Sequence, residues 1–349
     1  MGISDRPSWC PALAAALLAG GVFVASAAPA AADDPADLKA QYRRPNEIPF
    51  PAANPYSDAK AALGHVLFFD PRLSGSNTAS CASCHNPALG WEDGLPVATG
   101  DGAKSLERAS PTILNLAWAE PLMWDGRKDT LEDQATGPIE AAGEMNQPMA
   151  SLAAELSAIP AYRRMFREAF GSETISGPAI AQALATFERT IVSNRAPFDR
   201  WIDGDDTAID EQARQGFVLF NGKANCAACH SGWRFTDDSF HDIGLKSADI
   251  GRGAFLPDLP VMQHAFKTPT LRNIATREPF MHDGSAATLR DVLAHYDTGF
   301  TERPSLSPEM RRLGLTPGET EALLAFLRTL TSTDDPIPVP ALPTKDASS

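Results

Sequence analysis

Cys81-Ala82-Ser83-Cys84-His85 and Cys226-Ala227-Ala228-Cys229-His230 share the pattern C-x-x-C-H, and the rest of the chain is read from this pair. Two sulfurs at this spacing can form thioethers with the edge of a porphyrin, and the adjacent imidazole then reaches the iron; this is the attachment signature of a c-type haem. Paired cysteines also build tetrahedral zinc sites. Zinc would not require a His directly after both pairs, and the two pairs lie far apart in the chain. Cys81, Cys84, Cys226 and Cys229 are therefore expected to attach two haem c groups, with His85 and His230 as proximal iron ligands.

The flanks of the two motifs echo each other. Gly64-His65-Val66-Leu67-Phe68 precedes the first and Gly216-Phe217-Val218-Leu219-Phe220 precedes the second. Downstream, Ala183-Leu184-Ala185-Thr186-Phe187-Glu188-Arg189-Thr190-Ile191 resembles Ala322-Leu323-Leu324-Ala325-Phe326-Leu327-Arg328-Thr329-Leu330. Both runs place apolar residues at helical spacing. The second opens on Thr316-Pro317-Gly318-Glu319, a capping box with Pro in the first turn. Each half thus reads helix, C-x-x-C-H, loop-rich stretch, closing helix. The expected fold is mainly α, with two cytochrome c-like helical haem domains in tandem over residues 55–203 and 207–333, joined at Asp203-Gly204-Asp205-Asp206. With 29 prolines and 25 glycines, the long connections should be irregular. The first half carries the longer insertion after its haem motif, which points to the reactive pocket there.

Residues 1–32 read as a secretory signal peptide, with a short polar start, an apolar Ala/Leu run and the small residues Ala30-Ala31-Ala32. The run is too short and too rich in Gly and Ala for a good membrane anchor. Cys10 would leave with this peptide, so no disulfide is expected, and the destination is the periplasm. Residues 33–54 read as an extended arm and 334–349 as a disordered, acidic, Pro-rich tail. A net charge of −14 argues against nucleic acid or an anionic membrane as partner and favours a basic or locally complementary protein.

A proximal His leaves one axial position on each iron. Filled by a strong ligand, the haem carries electrons; left open, it can bind peroxide. For the second haem, spacing nominates Met281 in its Pro-rich loop, with Met262, His282, His295 and Tyr296 competing. A Met taken singly more often packs in a core.

Leu122-Met123-Trp124-Asp125-Gly126-Arg127, Gln134, Gly137-Pro138-Ile139-Glu140 and Gly143-Glu144-Met145-Asn146 resemble the bacterial dihaem cytochrome c peroxidase family. So do Phe266-Lys267-Thr268-Pro269-Thr270-Leu271-Arg272-Asn273-Ile274 and Pro279-Phe280-Met281-His282-Asp283-Gly284, and the resemblance spans nearly all of the chain after residue 32. Two departures bear on the subgroup. Asp101 stands where the family's distal His would be, and reads as a solvated turn residue beside Gly102; the resemblance then implies an open first haem. Tyr296 stands where the axial Met would be, which implies a His230/Tyr296 second haem. A phenolate is a hard anionic ligand that lowers the reduction potential. This combination is the pattern of the family's MauG-like subgroup.

The resemblance further implies roles for individual residues. Glu144 would move a proton between the peroxide oxygens, and Gln134 would orient Glu144 or a water. Trp124 would relay oxidising equivalents between the haems, while Pro138 and Met145 shape the distal wall. On position alone, Trp233, three residues after His230 and nearest in sequence to the second haem, would lead those equivalents to a partner surface. Carbonyls of Arg277 and Pro279 would hold a calcium ion, with Ala109 replacing the family's Asn ligand. The implied function is a haem-dependent oxidoreductase. It would use hydrogen peroxide, or oxygen with electrons, to oxidise tryptophans of a quinoprotein dehydrogenase precursor into a tryptophylquinone during methylamine utilisation. The alternative is a peroxidase fed by a small cytochrome or cupredoxin. A plain dihaem electron carrier would leave Glu144 without a purpose.

Overall fold

Each haem motif lies between two helices that cross at a glycine. The computed structural model describes residues 35–344, so the signal-peptide expectation falls outside the described residues. A short α1 (Pro35–Ala40) precedes α2 (Asp58–Phe68), and the first motif itself forms one turn, α3 (Cys81–Cys84). The long insertion contains α4 (Leu131–Glu140), α5 (Met149–Ser157) and α6 (Pro160–Phe170), and α7 (Gly177–Arg189) closes the half. After α8 (Pro197–Ile202), the second half is built from α9 (Glu211–Asn221), α10 (Leu289–Ala294) and α11 (Pro317–Arg328). Strand among the described residues is confined to two antiparallel ribbons, β1 (Thr99–Gly100) with β2 (Lys104–Ser105) and β3 (Phe240–His241) with β4 (Phe266–Lys267). This is the tandem, mainly helical architecture expected.

The helices start where the sequence supplies a side-chain oxygen for their free N–H groups. Ser57 Oγ accepts from Lys60 N at 3.3 Å, and Asp210 Oδ1 accepts from Ala213 N at 2.8 Å. The Thr316–Glu319 box closes both ways, at 2.8 and 3.3 Å. In the first core, Leu63, Leu67 and Phe68 of α2 pack on Ile180, Leu184 and Phe187 of α7. In the second, Phe217 and Phe220 of α9 pack on Leu323, Phe326 and Leu327 of α11. A Cβ on Gly64 would stand 2.0 Å from Ala183 O, and one on Gly216 would stand 2.0 Å from Ala322 O. Both crossings therefore need glycine. Gly64→Ala and Gly216→Ala should each cost about 1–3 kcal/mol or more, the usual range for overpacking. The check is the denaturation midpoint, and a variant as stable as the parent would contradict so close a crossing.

Packing bears on three expectations about boundaries. Phe198, Trp201 and Ile202 of α8 pack into the second core, and the acidic Asp203–Asp206 run follows α8 as a surface turn. The arm is not simply extended, because it contains α1 and drives Tyr42 into the second core, where its hydroxyl donates to Asn221 Oδ1 at 2.6 Å. The tail, expected to be disordered, is laid across the first unit over residues 334–344. Ile337 packs on the first core, Arg72 Nη1 donates to Pro343 O at 2.9 Å, and Asp334 accepts from Asn194 N and Asn273 Nδ2 at 2.7 and 2.6 Å. Proline carries no N–H, so an extended Pro-rich segment needs few partners to stay in place. No helix among the described residues is long and apolar enough to cross a membrane.

Candidate functional site

A long internal repeat builds the contact between the two units. Ser110-Pro111-Thr112-Ile113-Leu114-Asn115-Leu116-Ala117-Trp118-Ala119-Glu120-Pro121-Leu122-Met123-Trp124-Asp125-Gly126 matches the stretch from Thr268 to Gly284 without a gap. The backbone repeats too: Asn115 and Asn273 have φ of 61° and 56°, Met123 and Met281 of 71° and 77°. The matched segments meet reciprocally. Ala109 N donates to His282 O at 2.7 Å, and its counterpart Lys267 N donates to Trp124 O at 2.8 Å. The units are thus related by a pseudo-two-fold axis. Trp124 and its counterpart His282 face each other beside it, with ring centroids 6.4 Å apart.

One continuous cavity of about 820 Å³ runs through both units; of the competing iron ligands Met281, His282 and Tyr296 line it, while Met262 and His295 do not. All four motif cysteines and both motif histidines line it, with Glu144, Gln134, Trp124 and Tyr296. His85 Nδ1 lies 3.2 Å from Trp91 O and His230 Nδ1 lies 2.8 Å from Phe235 O. A proton on Nδ1 in each ring leaves Nε2 with its lone pair free for iron. Burial pushes both pKa values down, which keeps the rings in that neutral form.

The cavity also contains donors that the protein leaves unpaired. Arg234 Nη1, Arg277 Nε and His282 Nε2 are buried without partners, and all three residues line the cavity. Unpaired buried donors are costly, and haem propionates are the anions that would satisfy them. The residues present fit two c-type haems. Of the expected calcium ligands, Arg277 and Pro279 line the cavity, while Ala109 supplies less than the family's Asn. Ala109 has no side-chain oxygen and its carbonyl already accepts from Trp124 Nε1 at 2.9 Å. The buried Arg277 guanidinium, paired with Glu92 at 2.9 Å, adds positive charge to the same loop. Calcium takes six to eight oxygens. Among the described residues the one cluster of His, Cys, Asp and Glu side chains spaced for a metal is Cys229, Asp237 and His241, and Cys229 is committed to a thioether.

The repeat explains why the two distal sides differ. Continued past Thr130 and Thr288, which cap α4 and α10, the same register sets Pro138 against Tyr296. Pro138 offers no ligating atom. In the second unit α10 passes into a π turn over His295–Gly299, a form often found at functional sites, and Tyr296 rides on it into the cavity. Burial, with Cys229 and Cys226 close by, pushes its phenol pKa up, so ionisation there would require a cation such as ferric iron. His295 is engaged elsewhere, with Nε2 2.8 Å from Ile243 O. Met281 also lines the cavity, in the repeated turn whose twin is Met123.

Asp101 is not the solvated turn residue expected. It is buried, its N–H donates to Glu144 O at 2.5 Å, and its carboxylate accepts from Ser76 Oγ. A Cβ on Gly100 would lie 1.9 Å from Gly143 O, so this loop is pressed against the Glu144 segment. Asp101 does not line the cavity. Glu144 does, and burial raises its pKa while the Arg127 charge draws it partly back. Gln134 is not bonded to Glu144; its amide faces Met123 Sδ at 3.6 Å. Trp233 sits away from the cavity, edge-on to Trp118 at 4.9 Å and beneath Arg44 and Arg272. Two cations over one ring disfavour removing an electron from it, so its environment suits a clasp between the units.

A redox protein of two fused cytochrome c units around a shared haem cavity is what this arrangement defines. A family model described as di-haem cytochrome c peroxidase matches residues 58–207, and a cytochrome c model matches 213–331. The chain belongs to the dihaem cytochrome c peroxidase and MauG family, and is a haem-dependent oxidoreductase with two c-type haems. It is 52% identical to methylamine utilization protein MauG of Methylorubrum extorquens over 94% of this chain and 96% of that protein. Against the protein of the same name from Methylophilus methylotrophus the identity is 50%, over 87% and 91%. Cytochrome c551 peroxidase of Pseudomonas aeruginosa is 32% identical over 86% of each. A solved MauG-like protein associated with microbial copper homeostasis superposes with a TM-score of 0.76 at 33% identity, over 83% of this chain and 95% of that one.

Proposed function

We propose that this protein is a periplasmic MauG-type oxidase. It would use hydrogen peroxide, or oxygen with electrons, to oxidise tryptophan side chains of a partner precursor into a tryptophylquinone cofactor in methylamine utilisation. The observation that carries this reading is the pairing of Pro138 with Tyr296 at matching places in the repeat. It supports one open haem beside one closed by an anionic oxygen. The identity to MauG proteins over nearly the full chain agrees with it.

When bound, the haem pair supplies the two electrons that cleave the peroxide O–O bond. Glu144 takes the proton from one peroxide oxygen and returns it to the other as water departs, and Pro138 leaves the iron face free for the oxidant. Gln134, on the same wall, orients a water rather than Glu144 itself. Tyr296 would hold the second haem together with His230 and lend it the negative charge that favours its oxidised state. Trp124 relays those equivalents between the units. Its Nε1–H is held by the Ala109 carbonyl at 2.9 Å, an acceptor too weakly basic to remove the proton, so a lost electron is readily restored. Calcium has no part in these steps.

The test is electron paramagnetic resonance and optical spectra of the air-oxidised protein, before and after one equivalent of hydrogen peroxide. One high-spin and one low-spin ferric haem are expected, both signals fading together into a long-lived oxidised state. Two low-spin haems that ignore peroxide until one is reduced would favour the peroxidase fed by a small redox protein.

A further inference from the structure

We propose that Glu188 is a redox-linked proton carrier for the first haem, protonated while that haem is reduced and ionised once it is oxidised. The proposal rests on the reading that the first unit holds the reactive haem.

Glu188 lies near the C-terminal end of α7, is 5% exposed, and lines the cavity. Its Oε2 has no hydrogen-bond partner. The neighbouring cation is committed elsewhere, since Arg189 forks onto Glu132 of α4 at 2.6 and 2.9 Å. The closing helix of the second unit supplies the contrast. Matching Ala183–Ile191 to Ala322–Leu330 sets Glu188 against Leu327, which lines the cavity in its own unit. The first unit therefore carries a carboxyl where the same fold packs well with an isobutyl group. A buried unpaired carboxyl in place of Leu costs stability, which points to a task beyond packing.

The groups facing it decide its charge. They are Arg189 on its own helix, Glu132 on α4 and Cys81 on α3, and the Cys81 sulfur becomes an uncharged thioether when haem is attached. Burial outweighs Arg189, pushing Glu188 up to about 8, so it is neutral at pH 7. Oxidising the haem by one electron adds one positive charge to a low-dielectric cavity. That charge favours the carboxylate. The electron passes to the oxidant and the Glu188 proton to solvent, so the net charge of the pocket is unchanged. Glu144 differs in that it shuttles a proton within the peroxide and ends as it began.

The experiment is a spectroelectrochemical titration of the first haem in the holoprotein at several pH values, with no peroxide present. The wild-type midpoint should fall with rising pH through the region around neutrality, by up to about one proton per electron, because the oxidised state holds fewer protons. Glu188→Gln and Glu188→Leu should both flatten this slope and leave the second haem's midpoint in place, while Glu144→Gln should retain it. Infrared difference spectra between oxidised and reduced protein should show a protonated-carboxyl band that disappears on oxidation, missing from both Glu188 variants. If Glu188→Gln fails to fold, Glu188→Leu reproduces packing the second unit already uses. A folded Glu188 variant that keeps the slope and the band would overturn the proposal. Failure of the oxidase reading would appear separately, in the peroxide spectra.

Discussion

Glu144→Gln is expected to slow the reaction with hydrogen peroxide by about 10²–10⁴-fold, the usual weight of a general acid–base group, while both haems stay bound. Gln matches Glu in size but cannot take a proton. The pH profile separates this role from a merely structural one. The working form is the carboxylate, and burial raises the Glu144 pKa against the pull of Arg127. The rate should therefore fall as pH drops through that raised value, earlier than for a solvent-exposed glutamate. The acid limb should be absent in Glu144→Gln. Stopped-flow mixing with peroxide across a pH series measures both effects, and an unchanged rate in the variant would remove Glu144 from the mechanism.

Tyr296→Phe should have the second large effect. Removing one oxygen leaves the second iron with His230 alone, and its low-spin signal should turn high-spin with haem content unchanged. Tyr296→Met should restore a low-spin haem but raise its reduction potential, since a thioether favours the reduced metal where a phenolate favours the oxidised one. The oxidised state formed with peroxide should then decay faster in both variants. Met281→Ala is the control. Should the low-spin signal survive Tyr296→Phe and vanish in Met281→Ala, the ligand is Met281 from the repeated turn.

What the sequence revealed follows from how haem is held. Covalent attachment requires two cysteines and a histidine within five residues, so Cys81–His85 and Cys226–His230 can be read without knowing the fold. The closing helices are also legible, because helical spacing is local. Asp101 is not. Its burial depends on Ser76 and the Glu144 segment, and Gly100-Asp101-Gly102 taken alone has the composition of a solvated turn. Tyr42, α8 and the 334–344 segment are hard to place from the sequence for the same reason, since each finds its partners far away in the chain. The match of Ser110–Gly126 to Thr268–Gly284 is present in the sequence, but the helix echoes do not disclose it because they run at different spacings.

The reciprocal hydrogen bonds at Ala109 and Lys267 are what two identical subunits would make across a dimer axis. In a homodimer every substitution is made twice, and the two iron sites stay alike. Within a single polypeptide the copies are free to diverge, and only then can one keep a proline where the other has a tyrosine. Covalent linkage also fixes the local concentration of one half around the other. Any electron exchange between the two haems would thus be insensitive to dilution.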